Sequence, residues 1–280
     1  VLIMKKLNLG LVFLLSLVLF SACGKEVSNV ETDDFTVVKV GIVGEESVMW
    51  GPINNILEKD KIRVELVKFS DYNLPNQALA DGEIDLNAFQ HKAFLNSEIE
   101  AKGYDIVAIG DTLIAPLDIY SKNIKSLDEI KENDKIAIPN DVTNGGRALK
   151  VLEEVGLIKV KEEALYTPSI EDITENNLNL EIIQVDAAQL PALLPDVTAA
   201  VINGNYAHDY GLDPNKEAIY VQTIESIKKD NPYINCIVAR TEDKDNPIYK
   251  KIVEAYQTDE VAKVVEETYG DLYLPAWNIK

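Results

Sequence analysis

The stretch Ile138-Pro139-Asn140-Asp141-Val142-Thr143-Asn144-Gly145-Gly146-Arg147 decides the architecture. It leaves a short apolar strand at 135–138, passes through a polar loop with two glycines, and enters a helix expected over 144–155 and stopped by Gly156. A strand that turns into a helix across a polar joint is the repeating unit of an α/β fold. The same rhythm continues on both sides. Apolar, β-rich runs at 37–43, 62–69, 104–109 and 113–121 alternate with helical patterns at 47–58, 74–81 and 91–102, with Pro75 tolerated in a first turn. Further on, runs at 181–185, 199–202 and 233–239 read as strands and 188–194 as a short helix. Two helices close the chain, 247–257 capped by Asn246 and 259–269 capped by Thr258. Residues 126–129 carry a capping-box pattern. This order predicts a mainly parallel sheet covered on both faces. No linker rich in Pro, Gly or Ser separates independent domains, so two α/β lobes joined by extended crossings are expected.

Ligands of open α/β sheets bind at the carboxyl ends of strands. His91, the run from Asp141 to Arg147, and Asn203 all follow strands. Backbone N–H groups at a helix start attract anions, and Arg147 in the first turn adds a bidentate grip for a carboxylate. A cation there opposes the helix dipole, which a bound carboxylate would offset. The alternative is a surface arginine paired with a neighbouring acid. Phe89, His91 and Phe94 cluster near a strand-to-helix turn and suit an apolar side chain with a weak acceptor. Read locally, the two phenylalanines are core and His91 is a helix cap. Tyr72, at a helix start, carries the same two readings.

No catalytic motif stands out. His91 and His208, the two histidines, lack metal-ligand spacing, and neither a GxSxG elbow nor a GxxxxGK[ST] phosphate loop is present. The carboxylates are scattered along helices as on solvated faces. No cofactor or metal is expected, and an extracytoplasmic hydrolase has no nominated nucleophile.

Met4-Lys5-Lys6 heads an apolar run over 11–20 that ends in Ser21-Ala22-Cys23-Gly24. A basic head, a short apolar run and small residues make a secretory signal over 1–22, too short for a membrane span. Cys23 stands where a bacterial lipobox places its lipidated cysteine, with Phe20 where leucine is usual. That predicts a lipid anchor on the extracytoplasmic face of a membrane, followed by a polar tether over 23–34. With Cys23 acylated, Cys236 has no partner and reads as a buried small hydrophobe. Loss of residues 1–22 removes two lysines and moves the net charge from -20 to -22. Such a surface repels nucleic acid and anionic lipid headgroups.

A set of ordered stretches resembles the NLPA family of lipoproteins, which includes the methionine-binding proteins of methionine ABC transporters. They are Asp71-Tyr72-Asn73-Leu74-Pro75-Asn76-Gln77-Ala78-Leu79, Gly82-Glu83-Ile84-Asp85-Leu86-Asn87-Ala88-Phe89-Gln90-His91, Tyr120-Ser121, and the 138–149 region with Thr143-Asn144-Gly145-Gly146-Arg147. Ala200-Val201-Ile202-Asn203-Gly204-Asn205-Tyr206-Ala207 and Pro232-Tyr233-Ile234-Asn235 complete them. The resemblance implies an α/β, type II periplasmic-binding fold, with one lobe from 35–118 and 232–280 and the other from 119–231. It implies that Arg147 pairs with a ligand carboxylate. Asn203 and Asn235 hold the amino-acid backbone group, and Asn205 matches a further family position. Tyr72, Phe89 and His91 line the side-chain pocket. Without ligand the lobes are expected open and Arg147 partly solvated. Departures from the family pattern fall at Ala88, Ala93-Phe94 and the segment from Glu46 to Trp50.

The implied protein is no enzyme but a receptor handing methionine to an ABC permease. The alternatives are a receptor for a methionine derivative, dipeptide or other apolar amino acid, or a surface adhesin lipoprotein.

Overall fold

The computed structural model describes residues 35–45, 48–223, 228–270 and 273–279. The expected signal segment, Cys23 and the tether lie outside the described residues, as does the expected helix start at Ser47. The chain begins β1 (Thr36–Val43), α1 (Trp50–Leu57), β2 (Ile62–Phe69), α2 (Pro75–Ala80), β3 (Leu86–His91), α3 (Lys92–Lys102), β4 (Ile106–Asp111) and the short β5 (Leu113–Ile114). It continues through β6 (Leu117–Tyr120), β7 (Lys135–Pro139), α4 (Val142–Glu154), β8 (Lys159–Val160), β9 (Ile173–Glu175), β10 (Glu181–Val185) and α5 (Leu190–Leu193). β11 (Ala199–Asn203), α6 (Gly204–Asp209), α7 (Pro214–Glu217) and β12 (Ala218–Tyr220) follow. It closes with β13 (Asn235–Arg240), α8 (Pro247–Tyr256), α9 (Asp259–Tyr269) and β14 (Leu274–Pro275).

The expected parallel sheet resolves into two five-stranded sheets, ordered β2-β1-β3-β13-β4 and β10-β7-β11-β6-β12. β1 runs parallel to β2 and β3, and β7 parallel to β10 and β11. β13 and β6 run antiparallel to both their neighbours. Each reversed strand is the one by which the chain enters from the other sheet. A βαβ unit returns the chain to the amino end of a sheet. A direct crossing arrives instead at the carboxyl end, where the sheets face each other, and must run back from there.

Both faces of each sheet are covered, as patterning predicts. Val40, Ile53, Leu57, Ile237 and Ile252 pack between the first sheet and α1 and α8. Leu79, Leu95 and Cys236 pack on its other face. Cys236 is fully buried, and burial pushes its thiol up to about 12. Ile136, Ile138 and Leu149 join the second sheet to α4, with Leu190, Ile202 and Ala207 on the opposite face.

The caps at Asn246 and Thr258 form, accepting from the Ile248 and Val261 N–H groups. The capping box at 126–129 does not. Ser126 makes no cap bond, and the segment is a single 3-10 turn in which the Glu129 carboxylate accepts from Lys125 N–H at 2.9 Å.

Candidate ligand-binding site

Three strand-to-helix joints converge where the sheets face each other. β3 runs into α3 at His91, β7 into α4 ahead of Asn144 and Arg147, and β11 into α6 at Asn203. Between them lies a cavity. Tyr72, Phe89, His91, Arg147, Asn203, Asn205 and Asn235 all line it, so the residues nominated from sequence are brought together. Phe94, Asn144 and Ala115 line it too.

α4 begins two residues earlier than expected, at Val142, because Asp141 caps it by accepting from Asn144 N–H at 2.8 Å. Gly145 and Gly146 therefore sit inside the helix. Arg147 lies in the second turn, not the first, where the dipole penalty has largely decayed. The glycines are there for close approach. A Cβ on Gly145 would stand 2.8 Å from the Pro139 carbonyl oxygen, and one on Gly146 2.8 Å from Thr167 Cα.

A chain of hydrogen bonds assigns the Asn144 and Asn203 amides. Asp141 accepts from Asn144 Nδ2 through both carboxylate oxygens, at 3.1 Å each. Asn144 Oδ1 therefore faces the cavity side. It accepts from Asn203 Nδ2 at 2.9 Å and meets His91 Nε2 at 3.2 Å. His91 Nδ1 accepts from Phe94 N–H at 3.0 Å, so the proton of the neutral ring sits on Nε2. His91 is both the α3 cap and a cavity wall. Burial, aided by the Arg147 charge, holds its pKa down to about 3, so it stays neutral. Asn203 Oδ1, buried, is left with no partner.

Arg147 is 5 % exposed, against the expectation of partial solvation, because the lobes are closed around it. Nη2 donates to the Ala115 carbonyl oxygen at 2.7 Å and to Gln222 Oε1 at 2.8 Å. The guanidinium carbon lies 4.9 Å from the Tyr233 ring centroid. Its bonded partners among the described residues are neutral, so the surface ion pair is excluded. Burial lowers its pKa to about 10, which leaves it charged at neutral pH. With both Nη2 protons used, the grip is not a free bidentate fork. Nε is buried with no hydrogen-bond partner.

The remaining wall is aromatic. Tyr72 lies 5.9 Å from both Phe89 and Phe94 between centroids, and 4.9 Å from Tyr206. Tyr72 Oη donates to Asn205 Oδ1 at 2.7 Å, linking a loop beside the first sheet to α6 beside the second. Ala115 and Gln222 were not legible in advance: the run expected over 113–121 breaks between β5 and β6 at Ala115, and Gln222 lies on the irregular return crossing. Asn144 carried a signal, its place beside the Gly-Gly pair after a strand.

The NlpA lipoprotein model matches residues 38–277. The chain belongs to the NlpA lipoprotein family. This NlpA chain is 43% identical over 244 residues to the D-methionine-binding lipoprotein MetQ of Escherichia coli K12, covering 86% of this chain and 88% of that one. A nutrient-binding protein from Burkholderia cenocepacia, solved bound to methionine, superposes with TM-score 0.79 at 41% identity, over 85% of this chain and 99% of that one. The substrate-binding protein of a methionine transporter from Streptococcus pneumoniae gives 0.80 at 37%, over 86% and 96%. The fold is the type II periplasmic-binding fold, two α/β lobes with a ligand cleft between them. Among the described residues of this NlpA protein, no helix is long and apolar enough to cross a membrane, and no cluster of His, Cys, Asp or Glu is placed to hold a metal.

Proposed function

We propose that this chain is the extracytoplasmic, lipid-anchored receptor of an ABC importer and that its cargo is a free amino acid, methionine foremost. One observation carries the reading. The cavity residues leave one buried donor and one buried acceptor unused, Arg147 Nε and Asn203 Oδ1. A buried polar atom without a partner is costly, so such a pair marks where a ligand bonds. A donor on a cation and a neutral acceptor match the two ends of an amino-acid zwitterion. The aromatic wall suits an apolar side chain. Arg147 thus takes the carboxylate, and Asn203 and Asn235 take the ammonium side. Tyr72, Phe89 and His91 contact the side chain, and Asn205 holds Tyr72 in place.

The lobes, 35–118 with 232–280 and 119–231, close over the cargo. Cys23 carries the anchor, and an ABC permease receives the cargo. The family resemblance and the transporter-derived names of relatives support these assignments.

Calorimetry of methionine and methionine amide on wild type and Arg147→Ala tests the reading. Removing one partner of a buried charge pair costs about 2–5 kcal/mol, so Arg147→Ala should weaken methionine about 100-fold or more. The amide should bind wild type poorly. Equal binding of amide and acid by the wild type would sink the carboxylate assignment.

A second reading, cargo longer than one amino acid, is favoured by an adjoining cavity that shares Phe89, Ala115, Asn205 and Asn235. It is walled by Trp50 and Ala88, where the chain departs from the family pattern. Mass spectrometry of ligand released from freshly purified, denatured protein separates the two.

A further inference from the structure

Arg147 is held from both places where the chain passes between the sheets. Ala115 lies on the outward crossing and Gln222 on the return, and each accepts one proton of Nη2. Gln222 is itself fixed at both ends. Its backbone N–H donates to Asp118 Oδ1 at 2.8 Å, and its Oε1 also accepts from Leu117 N–H at 3.1 Å. Asp118 is 1 % exposed, so this anchor is rigidly packed. A terminal guanidinium nitrogen carries two protons, and here both are committed. The guanidinium plane then cannot rotate, and Nε and Nη1 are the nitrogens left without a protein partner among the described residues.

We infer that Gln222 is the positioning residue for Arg147, fixing the guanidinium so that its uncommitted N–H groups are offered to the ligand while no carboxylate bonds it directly. The neutral amide is the important choice. A carboxylate at this position would accept from Nη2 equally well but would neutralise Arg147. Residue 222 is thereby a determinant of preference for acids over amides. The identity of the ligand carboxylate rests on the amino-acid reading above, whereas the hold on Arg147 does not.

The chain has three arginines, Arg63, Arg147 and Arg240, so a protein labelled with 15N-arginine gives a simple Nε–H spectrum. Arg147→Lys assigns the signal. In the ligand-free wild type the Arg147 Nε–H should be ordered, with slowed exchange. Gln222→Ala should loosen it, and Gln222→Glu should restore the order. Binding should then split the two variants. Gln222→Ala should weaken methionine about tenfold while still preferring it to the amide. Gln222→Glu should reduce a wild-type preference of roughly 100-fold to within a few fold, because the charge is already paired. Unfolding midpoints close to wild type confirm that both variants fold, and should the alanine variant misfold, the glutamate variant still decides. An Arg147 signal as ordered in Gln222→Ala as in wild type overturns the inference, as does an undiminished acid preference in Gln222→Glu. If Arg147 loosens but the wild type itself does not distinguish acid from amide, the amino-acid reading falls and the hold of Gln222 on Arg147 stands.

Discussion

At the scale of single residues, the site works by leaving chosen atoms unpaired. Asp141 orients Asn144, Asn144 orients Asn203 and His91, and what remains of that chain is one free acceptor. His91 must stay neutral for this to hold, and that makes it a reporter of folding. Its folded pKa of about 3 lies below the unfolded 6.5. As pH falls through about 6.5, only the unfolded chain takes up the proton, so the folded state loses stability by about 1.4 kcal/mol per pH unit. Asp118 acts in the opposite sense. Burial raises its folded pKa to about 6 from 3.8, so its contribution is full below 3.8 and is lost as pH rises through about 6. Between about pH 4 and 6 the two slopes oppose each other in the wild type. Urea unfolding at about pH 4.5, 5.5 and 7 should separate them. Relative to wild type, His91→Gln should gain stability as pH falls, and Asp118→Asn should gain as pH rises. Variant and wild-type curves that stay parallel throughout would show that neither group is buried in its neutral form.

At the scale of elements, α4 is where local and long-range demands meet. Two adjacent glycines are poor helix formers, yet the Asp141 cap starts the helix ahead of them. They are kept because backbone from the end of β7 and from Thr167 and Pro168 lies against them. Gly146→Ala should therefore destabilise the protein by about 1–3 kcal/mol, as overpacking does, and should weaken ligand by displacing Arg147 one residue on. A Cβ on Gly51 in α1 would meet no atom within 4 Å, so Gly51→Ala should stabilise by roughly 0.5 kcal/mol. Thermal unfolding of the two variants should thus shift in opposite directions, and equal shifts would refute the close-approach argument.

At the scale of the whole molecule, anchoring and binding are separable. The cavity is built from residues between Tyr72 and Asn235, whereas the lipidation candidate is Cys23. Cys23→Ser should move the protein from the membrane to the soluble fraction with unchanged methionine affinity. Unchanged membrane partition, with no acyl mass on the native protein, would count against the anchor.

Periodicity, caps and turn chemistry act over a few residues, so the strands, most helices and the polar residues at their joints could be read from the amino-acid order alone. His91, Arg147 and Asn203 were nominated in that way, and the burial of Cys236 followed from its apolar run. The short capping-box pattern at 126–129 misled, because a local motif forms only where packing leaves room for a helix. The reversal of β6 and β13 depends on which end of a sheet the chain enters, which no local pattern encodes. The same holds for Arg147, whose burial and orientation come from Ala115 and Gln222, residues 32 and 75 positions away. Which N–H groups and which oxygen remain free was settled only when those distant partners closed around it.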